Sequence, residues 1–191
     1  MKHLLAGLCL ALSALPGHLA ADAPSFCGKA GAAGWADIRD SLVGEWLIEH
    51  QSGYARAGNM IIPFGGDGKV ETLTMWIFGD ELVATHPEAQ APLVFQLADE
   101  GRWTVDTTEP YKPAPVLSPD DVGLIYGCDQ LELPRLVGTT TAVAGGTEMQ
   151  FTYRFMVADP QTLFGVMEVT GNAHGSPFLA RRTVWMRPVG S

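Results

Sequence analysis

The chain has 191 residues, 47% of them hydrophobic, and a formal charge of -9. That length and apolar share suit one domain with a substantial core. The acidic balance argues against a nucleic-acid partner, since phosphate binding needs clustered Lys and Arg, whereas the acids here are scattered as in solvated turns: Glu45, Glu49, Asp80-Glu81, Asp99-Glu100 and Asp120-Asp121.

At the N-terminus, Lys2 and His3 precede an apolar run from Leu4 to Leu15, a Pro16-Gly17 break and the small residues Ala20 and Ala21. This is the three-part pattern of a secretory signal peptide, so residues 1–21 read as a leader cleaved near Ala20 or Ala21. A membrane span needs ~20 apolar residues, and neither this run nor any later segment supplies them. The mature chain is therefore expected to lack a transmembrane segment and to be periplasmic or secreted. Cys9 follows Leu8 early in the run, not a small residue after a full apolar stretch, so it reads as part of the leader and not as a lipid anchor. Losing Lys2 takes the charge to -10, because the leader contains no Asp or Glu. Cys27 and Cys128 then remain, and in an oxidising compartment an isolated pair reads as one disulfide; two buried free thiols are the alternative.

Residues 22–41 form an arm and a short helix. The stretch from Ala21 to Ala33 is small and glycine-rich, and Trp35, Ile38 and Leu42 follow at helical spacing. Residues 42–191 read as one β domain. Candidate strands run over 43–51, 58–64, 69–78, 93–98, 102–107, 123–128, 135–143, 148–157, 162–170 and 178–187. Turn chemistry at Gly65-Gly66-Asp67-Gly68, Ala144-Gly145-Gly146, Asp159-Pro160 and Gly171 to Gly175 implies hairpins, hence antiparallel neighbours. The segment from Thr107 to Asp121 carries Pro110, Pro113, Pro115 and Pro119, which cannot donate to a sheet ladder. It reads as a long loop, either a lid over one end of the domain or a plain surface excursion.

Alternation sorts the faces of the strands. Met149, Phe151, Tyr153, Phe155 and Val157 share one face, opposite Gln150, Thr152 and Arg154. Trp46, Ile48 and His50 share another, so an inward Trp46 brings His50 inward with it. In 69–78 both faces are partly apolar: Val70, Thr72, Thr74, Trp76 and Phe78 alternate with Glu71, Leu73, Met75 and Ile77, and either set could face the interior.

Signs of chemistry are sparse. His50, His86 and His174 are isolated, without metal-ligand spacing, and the last two lie in apparent turns. His50 could bond a carboxylate, ligate a haem iron or act as an acid or base; a satisfied core or rim histidine is the alternative. Phe64-Gly65-Gly66-Asp67-Gly68-Lys69 lies in an apparent hairpin and does not open a helix, so its glycines read as turn residues and not as a phosphate cradle. With no nucleophile elbow and no dinucleotide fingerprint, the sequence names no catalytic residue, metal or cofactor.

Gly44-Glu45-Trp46 after a short helix, the run of antiparallel strands, and Arg181, Arg182 and Arg187 on the last strand together resemble the lipocalin-like, or calycin, barrels. The family's Asp-Tyr turn is missing and the placement of Cys27 and Cys128 is not its usual one, so the likeness is to a distant, bacterial type. The resemblance implies an all-β, antiparallel up-and-down barrel of 8–10 strands with a short N-terminal helix. It also implies that Trp46 closes one barrel end under an arginine, Arg182 in first place and Arg187 next. A barrel of that size can enclose a small hydrophobic or amphipathic ligand. His50, Trp76, Phe151, Tyr153 and Phe155 are the candidate lining. Two other readings stand beside it: a filled barrel serving as an envelope interaction module, and a barrel-based enzyme using His50 with a carboxylate.

Overall fold

Period-two alternation joined by turns builds a meander in which nearly every strand pairs with the next. The computed structural model describes residues 25–85, 91–98, 101, 103, 119–144, 146–173 and 175–190. The expected leader at 1–21, His86, His174, most of the proline-rich segment and all of the candidate strand at 102–107 except Trp103 lie outside the described residues. Helix α1 (Gly31–Ile38) and a 3-10 turn (Arg39–Leu42) lead into strands β1 (Gly44–Ala57), β2 (Met60–Phe64), β3 (Val70–Phe78), β4 (Glu81–Thr85) and β5 (Leu93–Leu97). After helix α2 (Pro119–Tyr126) come β6 (Arg135–Ala144), β7 (Thr147–Asp159), β8 (Thr162–Ala173) and β9 (Ser176–Pro188). Every pairing is antiparallel, and β9 returns to β1 (Trp46 opposite Pro188, His50 opposite Val184), so the sheet closes into an eight-stave barrel. Closure through β9 and β1 pairs the main wall all round, while β2 is hydrogen-bonded to β1 alone among the described strands.

Three local expectations are corrected. The glycine segment after Phe64 is not a hairpin: β2 and β3 both run antiparallel to β1, on successive stretches of it, and form one stave with a break at 65–69. The actual reversal is at Gly58-Asn59, where Gly58 has φ of +57° and Ala57 faces Met60. Residues 123–128 are not a strand, because Val122 and Tyr126, four apart, bury one side of α2 while Leu124 and Ile125 face solvent. Finally β4, which none of the candidate strands covers, follows a two-residue turn at Gly79-Asp80.

A bulge in β1 decides which way its second half faces. Between His50 and Gly53 the register against β9 slips by one residue, so Tyr54 turns to the outer wall and meets Arg181, whose Nη1 donates to its hydroxyl at 3.3 Å. Gly53 is required at that crossing, since a Cβ there would lie 2.0 Å from the carbonyl oxygen of Arg181.

The interior is stratified. At one end Trp35, Ile38 and Leu42 plug the barrel, and their layer joins Trp46, Met75, Leu136, Val157, Leu163 and Met186 in a fully buried core. The plug is held by the Trp35 indole N–H, which donates to the Asp80 carbonyl at 2.9 Å, and by Arg39, which donates to the Gly79 carbonyl and the Asp80 carboxylate. A second, smaller core lies outside the wall, where Val122, Leu133, Met156, Ala158 and Phe164 pack together under α2. The Cys27–Cys128 disulfide joins the N-terminal arm to this outer layer, with 5.9 Å between the two Cα atoms.

Candidate functional site

Above the plugged layer the inward-facing residues stop filling the barrel. A cavity of about 180 Å³ opens there toward solvent, walled by Phe95, Phe151, Tyr153 and Phe155 on one side and by Ile48, His50, Glu71 and Leu73 on the other. Alternation on β7 brings three of the aromatics inward together, as the sequence predicts. Phe95 joins them from β5, 5.6 Å from Phe155 in an edge-on contact, and Tyr153 stacks on Phe155 at 6.0 Å. Gly138 makes room for Phe95, because a Cβ at that position would come within 2.7 Å of the phenyl ring.

Of the five residues expected to line a cavity, His50, Phe151, Tyr153 and Phe155 do so. Trp76 does not. Its strand turns Glu71, Leu73, Met75 and Ile77 to the interior, leaving Trp76 and Phe78 on the outer wall. Both faces of β3 are apolar enough to be buried, and the choice falls to the face that β1 and β4 turn inward with it. Glu71, Leu73 and Phe95 are thus among the lining residues that the alternation pattern does not single out. Glu71 was visible only as an acid in register with Leu73 and Met75.

The polar groups gather on one wall. His50 is buried, with its Nε2 at 3.7 Å from the Glu71 carboxylate, too long for a good hydrogen bond, and its Nδ1 buried without any hydrogen-bond partner among the described residues. Glu71 in turn meets Lys69 Nζ at 2.6 Å. Burial holds the His50 pKa below the ordinary histidine value, the Arg182 charge pushes the same way, and Glu71 and Asp67 oppose them. Burial, reinforced by the Glu71 carboxylate, pushes the Tyr153 hydroxyl up to about 12, so it stays protonated. Among the described residues, no group of three His, Cys, Asp or Glu is placed to hold a metal ion.

The arginines of the last strand lie elsewhere than the resemblance implies. Trp46 is 1% exposed and its indole N–H donates to the Leu42 carbonyl at 2.9 Å. Arg182 stands opposite Gly53, seven residues along β1 from Trp46 and so roughly 20 Å away at the strand rise. There it donates twice to the Gln51 carbonyl (3.1 and 3.0 Å), approaches Asp67 at 3.6 Å and covers the Phe64 ring at 5.4 Å. Arg187 pairs with Leu47, whose side chain is on the opposite face from Trp46, and is exposed. Among the described residues, Trp46 is covered by the helical plug and not by an arginine of the last strand.

The lowered His50 pKa has a consequence for stability. The unfolded chain takes up the proton first, so stability present above the unfolded value near 6.5 is lost as pH falls through it. Urea unfolding at pH 7.5, 6.5 and 5.5 should show a steeper decline in wild type than in His50→Gln, the excess being no more than about 1.4 kcal/mol per pH unit for one proton. Parallel pH profiles for the two proteins would remove His50 as the cause.

The site thus defines a closed antiparallel barrel, plugged at one end and hollow at the other. Neither a protein-family model nor a curated protein matches the chain.

Proposed function

We propose that the protein is exported and binds one small hydrophobic or amphipathic molecule inside the barrel. The observation that carries this reading is the hollow end: aromatic rings from two strands surround space that an eight-stranded barrel of this size could have filled with side chains. Polar groups on one wall fit a ligand with an apolar body and a polar end. Export is supported by the leader pattern of residues 1–21 and by the disulfide, which suits a periplasmic or secreted protein. No described helix is long and apolar enough to cross a membrane. The barrel and its preceding helix are compatible with a distant lipocalin-like relationship, although among the described residues the arginines of the last strand lie away from Trp46.

Binding is tested with fluorobenzene followed by fluorine NMR. Saturable one-to-one binding is expected in wild type and its loss in Ala142→Phe, where a ring replaces a methyl group on the cavity wall. Fluorobenzene that never saturates on the folded wild-type protein would end the proposal. Export is tested by the mass of the protein recovered from its source, which should begin near residue 22.

One observation favours a second reading, acid–base catalysis: His50 and Glu71 converge in the open cavity at 3.7 Å. That reading requires turnover of a bound molecule which His50→Gln abolishes. A filled-barrel interaction module is disfavoured by the cavity itself.

A further inference from the structure

The polar wall of the cavity specifies what kind of end the ligand carries. Tyr153 lines the cavity, and its hydroxyl makes no hydrogen bond with any described residue. A tyrosine hydroxyl both donates and accepts, so it can pair with a polar ligand group that takes the place of water. His50 Nδ1, buried in the same lining, is likewise unpartnered. One buried unpartnered atom, His50 Nδ1, and a tyrosine hydroxyl in the same aromatic lining are what a ligand with one small polar group would complete.

Charge narrows the choice. Glu71 is the charged carboxylate in the lining, and among the described lining residues no Lys or Arg accompanies it, so an anionic end finds no partner cation on the wall. A cationic end fares little better, since Lys69 already occupies the Glu71 carboxylate at 2.6 Å. Behind this wall Arg182 and Asp67 form a further pair at 3.6 Å, leaving the four groups with no net charge to offset the lost hydration of an ion. Size narrows it again: an apolar cavity of ~150 Å³ holds benzene, and this one is about 180 Å³.

We propose that the cavity selects a single-ring molecule carrying a neutral hydroxyl group, a phenol or benzylic alcohol, with its ring among Phe95, Phe151 and Phe155 and its hydroxyl on Tyr153. This inference rests on the binding reading above and adds the chemistry of the ligand's polar end. Four probes with one shared body separate the possibilities by calorimetry: toluene, benzyl alcohol, benzoate and benzylamine. Benzyl alcohol should bind about 3- to 10-fold more tightly than toluene, the worth of one good hydrogen bond, and more tightly than either ion. In Tyr153→Phe, which keeps the ring, the advantage of the alcohol over toluene should shrink below about twofold. Toluene matching the alcohol in wild type, an advantage that survives Tyr153→Phe, or benzoate or benzylamine binding tightest each overturns the hydroxyl assignment while leaving the binding function standing. If none of the four binds and fluorobenzene also fails to saturate, both fall together.

Discussion

Trp46→Ala is expected to lower the stability of the protein by about 3–5 kcal/mol, the range for emptying a large aromatic site in a packed core. The indole is 1% exposed and sits where the helical plug meets the barrel, among Leu42, Met75 and Met186. Removing it leaves a void between two elements that cannot easily close on one another, because the barrel wall is a continuous hydrogen-bonded sheet. It also strands the Leu42 carbonyl, which accepts from the indole N–H at 2.9 Å. Trp46→Phe separates these effects: most of the packing is kept and the hydrogen bond is lost, so a cost nearer 1–2 kcal/mol is expected from the bond and the smaller ring. Equilibrium urea unfolding followed by far-UV circular dichroism gives both values. A change for Trp46→Ala within about 0.5 kcal/mol, the range of ordinary surface sites, contradicts the role assigned to this residue.

Loss of the Cys27–Cys128 disulfide in a Cys27→Ala, Cys128→Ala variant is expected to cost about 2–5 kcal/mol. The bridge spans 101 residues of sequence, and closing a loop of ~100 residues in the unfolded chain corresponds to ~4.7 kcal/mol in the chain-entropy model. Its local effect should be just as telling. Cys27 anchors an arm that has few other ties, among them the Phe26 N–H to the Ala158 carbonyl at 2.8 Å, while Cys128 follows α2 over the outer core of Met156, Ala158 and Phe164. Hydrogen exchange in the variant should therefore rise first in the arm and α2, and last in β7 and β8. Reductant added to the wild type should reproduce the loss, and the same reductant should leave the variant unchanged. A variant as stable as wild type would show that the outer layer holds the arm without covalent help.

These two sites do different work for the cavity. The plug under Trp46 makes one end of the barrel dense, so the space near His50 and Tyr153 can stay open without collapse of the whole interior. The disulfide acts outside the wall and does not touch the cavity lining. Ligand affinity should therefore respond to Trp46 substitutions more than to loss of the bridge.

Local period and residue chemistry were enough to fix a first set of features. Alternation put Trp46 with His50 and grouped Phe151, Tyr153 and Phe155, because side chains on a strand must take turns between two faces. Cys27 and Cys128 pointed to each other, and the helical spacing of Trp35, Ile38 and Leu42 implied one short helix before the strands. Period alone leaves two things open: which of two apolar faces turns inward, and what a strand lies beside. In β3 the interior took Glu71 and Leu73 and rejected Trp76, since β1 and β4 fix the pleat of the strand between them. The same dependence on partners turned the apparent glycine hairpin into a break in one stave, made α2 from a short apolar run, and sent Arg182 to Gln51 and Phe64 instead of to Trp46. Each of these rests on contacts between residues far apart in the chain, and a non-local partner leaves no mark in the local pattern. The cavity belongs to the same class, because an empty space is defined by all its walls at once and only the closed barrel brings His50, Glu71, Phe95 and Tyr153 around it.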